Sequence, residues 1–243
     1  LLTFSAIILS SDFTIDKEYL FLLGISGVIG IGIGDTAYFY SLKYIGVQKT
    51  LLIGVLAPII TTIIGILFLG EVLRPIILAS ITLSVFGISL VILGETNNTS
   101  GQTKKGYLWA FIAVFCQAIG IILSRSALQS NNIEALPSAM IRILFGIIPL
   151  LFILPFQKQS ITNFNFPNKK SFAYFLLAVV FGTYLTLWLQ QVAVIHINAG
   201  IAQTLLSTSP IFSALIQIIR GKKMRIQTIL GILLTVIGVS MLF

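Results

Sequence analysis

Among the seven acidic residues of this 243-residue chain, Asp35 alone sits within an apolar run, Gly30-Ile-Gly-Ile-Gly-Asp-Thr-Ala-Tyr-Phe-Tyr40. An ionised carboxylate there is costly unless it is paired or hydrated, so Asp35 is expected to face a cavity or a partner. Two readings follow. It takes up a proton or cation, or it is a helix-end residue hydrated at an interface or bonded to a nearby hydroxyl. Tyr38 lies one turn later on the same face and can donate to it. Gly30 and Gly34 form a small-xxx-small pair that lets another backbone approach closely.

Further polar groups cluster late in the chain. Thr183, Tyr184, Thr186, Trp188, Gln190 and Gln191 share one apolar run, and Gln203, Thr204 and Ser207 the next. Gln203 and Ser207 share a helical face, and aromatics beside neutral amides suit an uncharged or zwitterionic organic solute. Helix-to-helix hydrogen bonding is the alternative reading. Pro58 and Pro210 fall within apolar runs, where each ring removes an amide donor and frees the carbonyl four residues earlier, at Gly54 and Leu206. Both helices should bend, either to line a central cavity or to shape packing. Arg142 enters near the start of a run, placed to snorkel to the interface, to pair with another helix, or to pair with a substrate carboxylate. His196 is a lone loop histidine and Cys116 a lone thiol in an apolar run, so no metal site is expected. No GxGxxG before a strand, GxxxxGK[ST], HExxH or GxSxG occurs, so neither ATP-driven chemistry nor the common hydrolase mechanisms find support. The expectation is a protein that is not an enzyme and needs no cofactor.

The elements that must hold these groups are set by composition. The chain is 57% hydrophobic and 9% charged, with a mean hydropathy of +1.05, whereas soluble domains carry about 25% charge. Apolar spans are read at 1–10 (the tail of a helix), 19–42, 50–69, 75–94, 106–127, 137–156, 171–194, 199–219 and 226–243. The lipid bilayer is therefore a partner. The net charge of +8 is scattered between spans in ones to fours, which excludes nucleic-acid binding.

The chain also repeats itself. LKYIGVQKTLLIGVLAPII can be laid on VIHINAGIAQTLLSTSPIF, with Pro58 on Pro210. After one residue is lost, SVFGIS meets TVIGVS, with Gly87 on Gly238 and Ser89 on Ser240. Residues 1–95 form a first repeat, incomplete at its start, 96–105 a polar linker and 106–243 a second repeat. With one absent helix, each repeat holds five spans, and an odd number forces opposite orientations in the membrane. Counted by alternate loops, eleven Lys and Arg residues (43, 49, 104, 105, 158, 169, 170, 220, 222, 223, 225) lie on one side and Lys17, Arg74 and Arg125 on the other. The richer side should be cytoplasmic and the C-terminus outside.

The segments Ala37-Tyr-Phe-Tyr-Ser-Leu-Lys-Tyr-Ile-Gly46, Leu56-Ala-Pro-Ile59, Phe68-Leu-Gly-Glu71 and Phe86-Gly-Ile-Ser89 resemble, in order and spacing, the EamA domain of the drug/metabolite transporter superfamily. The resemblance implies an all-α integral membrane fold of ten helices in an inverted 5+5 repeat, with the first helix absent here and the second truncated. It implies export or exchange of small metabolites without ATP. Pro58 and Pro210 match the family's proline in the fourth helix of each repeat, Glu71 the glutamate ending that helix, and Arg142 an arginine in a second helix. Arg220-Gly-Lys-Lys-Met-Arg225 departs from the pattern, so a gate built on paired glutamates would keep one half. Family members are drawn with both termini in the cytoplasm, against the loop count, and the count stands as the expectation.

The leading expectation is a secondary transporter, a permease or exporter of a small organic solute such as an amino acid or amphipathic compound, in a bacterial inner membrane. Asp35, Tyr38, Pro58, Tyr184, Trp188, Gln190, Gln203, Ser207 and Pro210 are expected to bind the solute, with Glu71 and Arg142 gating or structural. Proton or ion coupling and homo-oligomerisation stay open. The alternatives are a noncatalytic scaffold subunit, which needs no continuous polar cavity, and a lipid-modifying enzyme, which needs clustered acids or histidines at one interface.

Overall fold

In hydrocarbon no water can satisfy a backbone amide, so each apolar run must close its hydrogen bonds on itself. The computed structural model describes residues 17–94, 104–129, 134–153, 169–219 and 225–242, and among these every regular element is helical. The span expected at 1–10, most of the polar linker and the loop from Arg220 to Met224 lie outside the described residues.

In chain order the elements are α1 (Lys17–Ser26), a π-helical turn π1 (Gly27–Ile33), α2 (Gly34–Gly54), α3 (Ala57–Leu69), α4 (Pro75–Gly94), α5 (Lys104–Gln129) and α6 (Ala135–Ile153). They continue with α7 (Lys169–Val179), a second π-helical turn π2 (Val180–Leu185), α8 (Thr186–His196), α9 (Ala199–Leu206), α10 (Ser209–Ile219) and α11 (Ile226–Ser240). Among the described residues, six stretches are long and apolar enough to cross a membrane: Lys17–Val47, Lys49–Leu69, Pro75–Leu93, Lys104–Gln129, Ala135–Phe152 and Lys170–His196.

Two details of the chain path matter for the site. Within α2 the chain turns at Gly46, at φ 79° and ψ 170°, a conformation that glycine adopts without a Cβ clash. The expected proline bends are full interruptions. The helix stops at Gly54 before Pro58, and at Leu206 before Pro210. Pro58 stands in the first turn of α3, where an amide donor is not needed.

Close packing is built on glycines. The register that lays Pro58 on Pro210 also lays Gly30 on Gly182, and each of the two lies inside a π-helical turn. A Cβ on Gly120 would come within 2.8 Å of the Gly30 Cα, and one on Gly32 within 2.8 Å of the Gly146 carbonyl, so α5 and α6 approach π1 backbone to backbone. Gly34 rests against the Cys116 side chain. Between α4 and α11 the packing is reciprocal. Gly87 faces the Thr235 amide at 2.6 Å from its Cβ position, and Gly238 faces the Ser84 amide at 2.7 Å. Because the sequence lays Ser84 on Thr235 and Gly87 on Gly238, each contact is the other with the partners exchanged, the pattern of an isologous interface. By contrast, α7 and π2 expose Tyr174 and Phe181, and the helix enters the core only at Gln190, Gln191 and Val194.

Gly87→Ala should therefore overpack the α4–α11 crossing and destabilise by roughly 1–3 kcal/mol. Nothing lies within 4 Å of a Cβ on Gly182, so Gly182→Ala should stay within about 0.5 kcal/mol of wild type. Thermal unfolding of both variants in detergent checks the contrast.

Candidate solute cavity and interhelical clasp

One face of α2 and one face of α5 diverge around a cavity of about 160 Å³. Gly34, Asp35 and Tyr38 line it from before the Gly46 turn, and Thr50 and Gly54 from after it; α5 contributes Ala110, Ala113, Val114 and Gln117 at helical spacing. An apolar cavity of about 150 Å³ holds a benzene-sized ligand, so the volume suits a small organic molecule. The small side chains on α5 make the space, and Asp35, Tyr38, Thr50 and Gln117 give it polarity.

Each polar group has a local reason for its position. Asp35 is exposed, although its neighbours Gly34 and Ala37 are buried, so its carboxylate is accessible where its helix is packed. The Thr50 hydroxyl donates to the Gly46 carbonyl at 2.8 Å and lies 2.8 Å from the Ser41 hydroxyl. Pro58 has no amide to offer the Gly54 carbonyl, and Gly54 lines the cavity. Gln203 donates through Nε2 to Gln117 Oε1 at 3.1 Å, while its own Oε1 has no hydrogen-bond partner among the described residues.

Arg142 is 3% exposed, which overturns the snorkelling reading. Its backbone packs on Gly27, and its NH2 would lie 3.4 Å from a Cβ on Gly30. The glycines of π1 thus clear the path of the guanidinium. Its Nε and NH1 have no hydrogen-bond partner among the described residues, and it acts electrostatically on Asp35. A buried cation without full hydrogen bonding is expensive.

Of the residues expected from sequence, Asp35 and Tyr38 line this cavity, and Gln203 reaches it through Gln117. Pro58 and Pro210 are buried at the two helix interruptions. Ser207 donates to the Gln203 carbonyl at 2.9 Å, and Gln190 is buried nearby on α8. Tyr184 and Trp188 do not line the cavity. Gly54, named above for the carbonyl that Pro58 frees, lines it too, whereas sequence reasoning singled out neither Thr50 nor Gln117. A lone amide amid Ala113-Val-Phe-Cys-Gln117-Ala-Ile-Gly120 was the available signal for the last.

A second polar cluster lies two turns beyond Gln117, about 12 Å further along α5. The chain leaves α3 through Gly70, left-handed at φ 63°, and the Glu71 amide closes on the Gly65 carbonyl at 3.2 Å, a Schellman-type stop. This turns the Glu71 side chain inward, to 6% exposure. Its Oε1 lies 3.4 Å from Arg125 Nε and accepts the Ala199 amide at 3.1 Å. Arg125 NH1 donates to the Val194 and Ile195 carbonyls, the latter at 2.8 Å. The expectation that Glu71 is structural or gating thus gains a partner that the loop count had treated as a surface cation.

The EamA-like transporter family model matches residues 1–93 and 104–243. The chain belongs to this family. An EamA-like protein is a multi-pass integral membrane transporter, so it implies a solute and a bilayer. A solved crystal structure is similar over 99% of this chain and 82% of its own, at 17% identity and a TM-score of 0.74, a likeness of fold. No curated protein matches the sequence.

Replacing a buried ion with an apolar side chain is often neutral or stabilising by about 1–4 kcal/mol. Arg142→Met should therefore hold or raise the thermal midpoint while lowering solute flux in proteoliposomes at least about tenfold. A fall in both would make Arg142 a structural residue.

Proposed function

We propose that this EamA-like protein is a secondary transporter that moves a small organic metabolite, such as an amino acid or an amphipathic compound, by alternating access around the α2–α5 cavity. The observation that carries the reading is a partly open polar cavity inside an apolar helix bundle, with the carboxylate of Asp35 accessible within it. A scaffold subunit has no need of such a space.

Asp35 provides a negative group for an ammonium, a proton or a coupling cation, and Tyr38, Thr50 and Gln117 provide hydrogen-bonding positions around it. Gln203 ties α9 to the cavity wall, so occupancy at Gln117 can be felt across the bundle. Tyr184, Trp188, Gln190 and Ser207 belong to the second half of the translocation path, in a conformation other than this one. The reciprocal Gly87–Thr235 and Gly238–Ser84 contacts and the matched π-helical turns support two inverted repeats, 1–95 and 106–243, joined by a linker at 96–105. That architecture requires ten helices and provides the hinge pair at Pro58 and Pro210 for rocking. A bacterial inner membrane with the Lys-rich loops on the cytoplasmic side completes the proposal.

The test is uptake by the complete protein in proteoliposomes, screened with amino acids, nucleosides, sugars and amphipathic amines, with and without a pH gradient. Saturable, gradient-dependent flux is expected. Asp35→Asn should abolish the gradient-driven component, and unchanged coupling at normal expression would remove Asp35 from the mechanism.

A further inference from the structure

The Glu71–Arg125 cluster is more than a surface ion pair. Arg125 is 8% exposed and Glu71 6%, and each bonds to a backbone end of the same hairpin. The guanidinium takes two carbonyls from the last turn of α8, where a helix carries partial negative charge, and the carboxylate takes the first amide of α9, where the charge is partial positive. The Gln129 amide lies against the same guanidinium, and a half-turn of that amide would bring its oxygen to 3.1 Å from Nε and 3.0 Å from NH2 as an acceptor. One acid from the end of α3 and one base from the end of α5 therefore hold the tight turn His196–Asn198 against the first half of the chain.

The position of this cluster matters as much as its chemistry. The cavity occupies the half of the bundle that contains the Gly46 turn and the Lys104 end of α5, whereas the cluster closes the other end of α5. We infer that Glu71 and Arg125 form the latch that keeps the face opposite the Lys104 end shut, and that the α8–α9 hairpin is the element released when that face opens. This rests on the alternating-access reading above. It assigns Arg125, which no functional consideration had singled out, a gating role.

Two features make the latch breakable. The second carboxylate oxygen, Oε2 of Glu71, is buried without a hydrogen-bond partner among the described residues, so the closed pair is incompletely satisfied. Gly65 makes room for it, since a Cβ there would come within 2.8 Å of Oε2. A closed state held by few, directional bonds can exchange with an open one when a solute contributes a modest differential affinity.

The experiment uses one reporter thiol, Ala113→Cys on the cavity wall in a Cys116→Ser background, and a membrane-impermeant maleimide applied from either side of oriented vesicles. With the latch intact, labelling is expected from the Lys104 side alone. Glu71→Gln and Arg125→Gln should each raise labelling from the opposite side about tenfold, equivalent to about 1.4 kcal/mol in the closed-to-open equilibrium. The double variant should add little to either single, since both remove the same latch. If the charge variants do not fold, Gly65→Ala, which keeps both charges and only displaces Oε2, should give a smaller rise in the same direction. Unchanged sidedness in every variant that remains monodisperse overturns the inference. Labelling requires no solute, so this outcome is independent of whether flux is detected.

Discussion

Everything in this structure answers to one constraint: within a bilayer a polar group must find its partner inside the protein. Hydroxyls meet it locally. Thr62 bonds to the Pro58 carbonyl, Ser84 to Ser80, Thr204 to Gly200 and Thr235 to Gly231, each four residues back along its own helix. Such bonds need no second helix, so threonine and serine are distributed freely through the spans. Longer polar side chains cannot be satisfied this way and must meet across helices. Gln203 with Gln117, Ser124 with Gln191, and Arg125 with Glu71 are such meetings. Among the described residues Lys49, Thr61, Glu71, Arg142, Gln191 and Gln203 each keep a buried polar atom without a partner, and of these Glu71 belongs to the clasp and Gln203 reaches the cavity wall through Gln117.

Association of helices in lipid gains little from burying apolar surface, so close approach has to supply it. Glycine serves this at π1, where Gly27, Gly30 and Gly32 admit the backbones of α5 and α6, and again where α4 crosses α11. At π1 the same absence of side chains leaves room for the Arg142 guanidinium, whose NH2 would lie 3.4 Å from a Cβ on Gly30. A wider helical turn and a run of glycines thus do two things together. They bring three helices into backbone contact, and they accommodate a buried cation.

The sequence made the spans and their interruptions readable because hydrophobic length and proline act locally. Pro58 and Pro210 marked both breaks, and Asp35, which the sequence left open to a functional or an interfacial reading, lines the cavity. What depended on pairing between distant segments was hidden. Arg125 was counted among loop cations because its partner lies on another helix and its carbonyl acceptors belong to a third. Thr50 looked like an ordinary helix residue, and the turn at Gly46 brings it, with the Gly54 that Pro58 had singled out, into one lining with Asp35. Tyr184 and Trp188 had the right chemistry for a site, yet periodicity could not show that their face stands away from the space that α2 and α5 enclose. The π-helical turns had no sequence signature beyond Gly30 and Gly182.

Under the proposed inverted-repeat reading, chemistry confined to one half has a mechanical consequence. In the register that superposes the prolines, Asp35 falls on Leu187, Tyr38 on Gln190 and Thr50 on Ala202, so the backbone pattern is duplicated while the charge is not. Equivalent packings of two similar halves would be close in energy, and a frame of this kind can rock between them. The polar groups then decide which packing is preferred. Glu71 and Arg125 favour the one in which the α8–α9 hairpin is held, and no acid stands in the corresponding Arg220–Arg225 segment to favour its mirror. The carboxylate at Asp35, in the half of the bundle away from the clasp, is where a bound cation or proton would change the balance. In the proposed cycle, placing one acid at the cavity and another at the clasp lets the first be neutralised without directly breaking the second, and the Gln117–Gln203 bond directly links the cavity wall to α9.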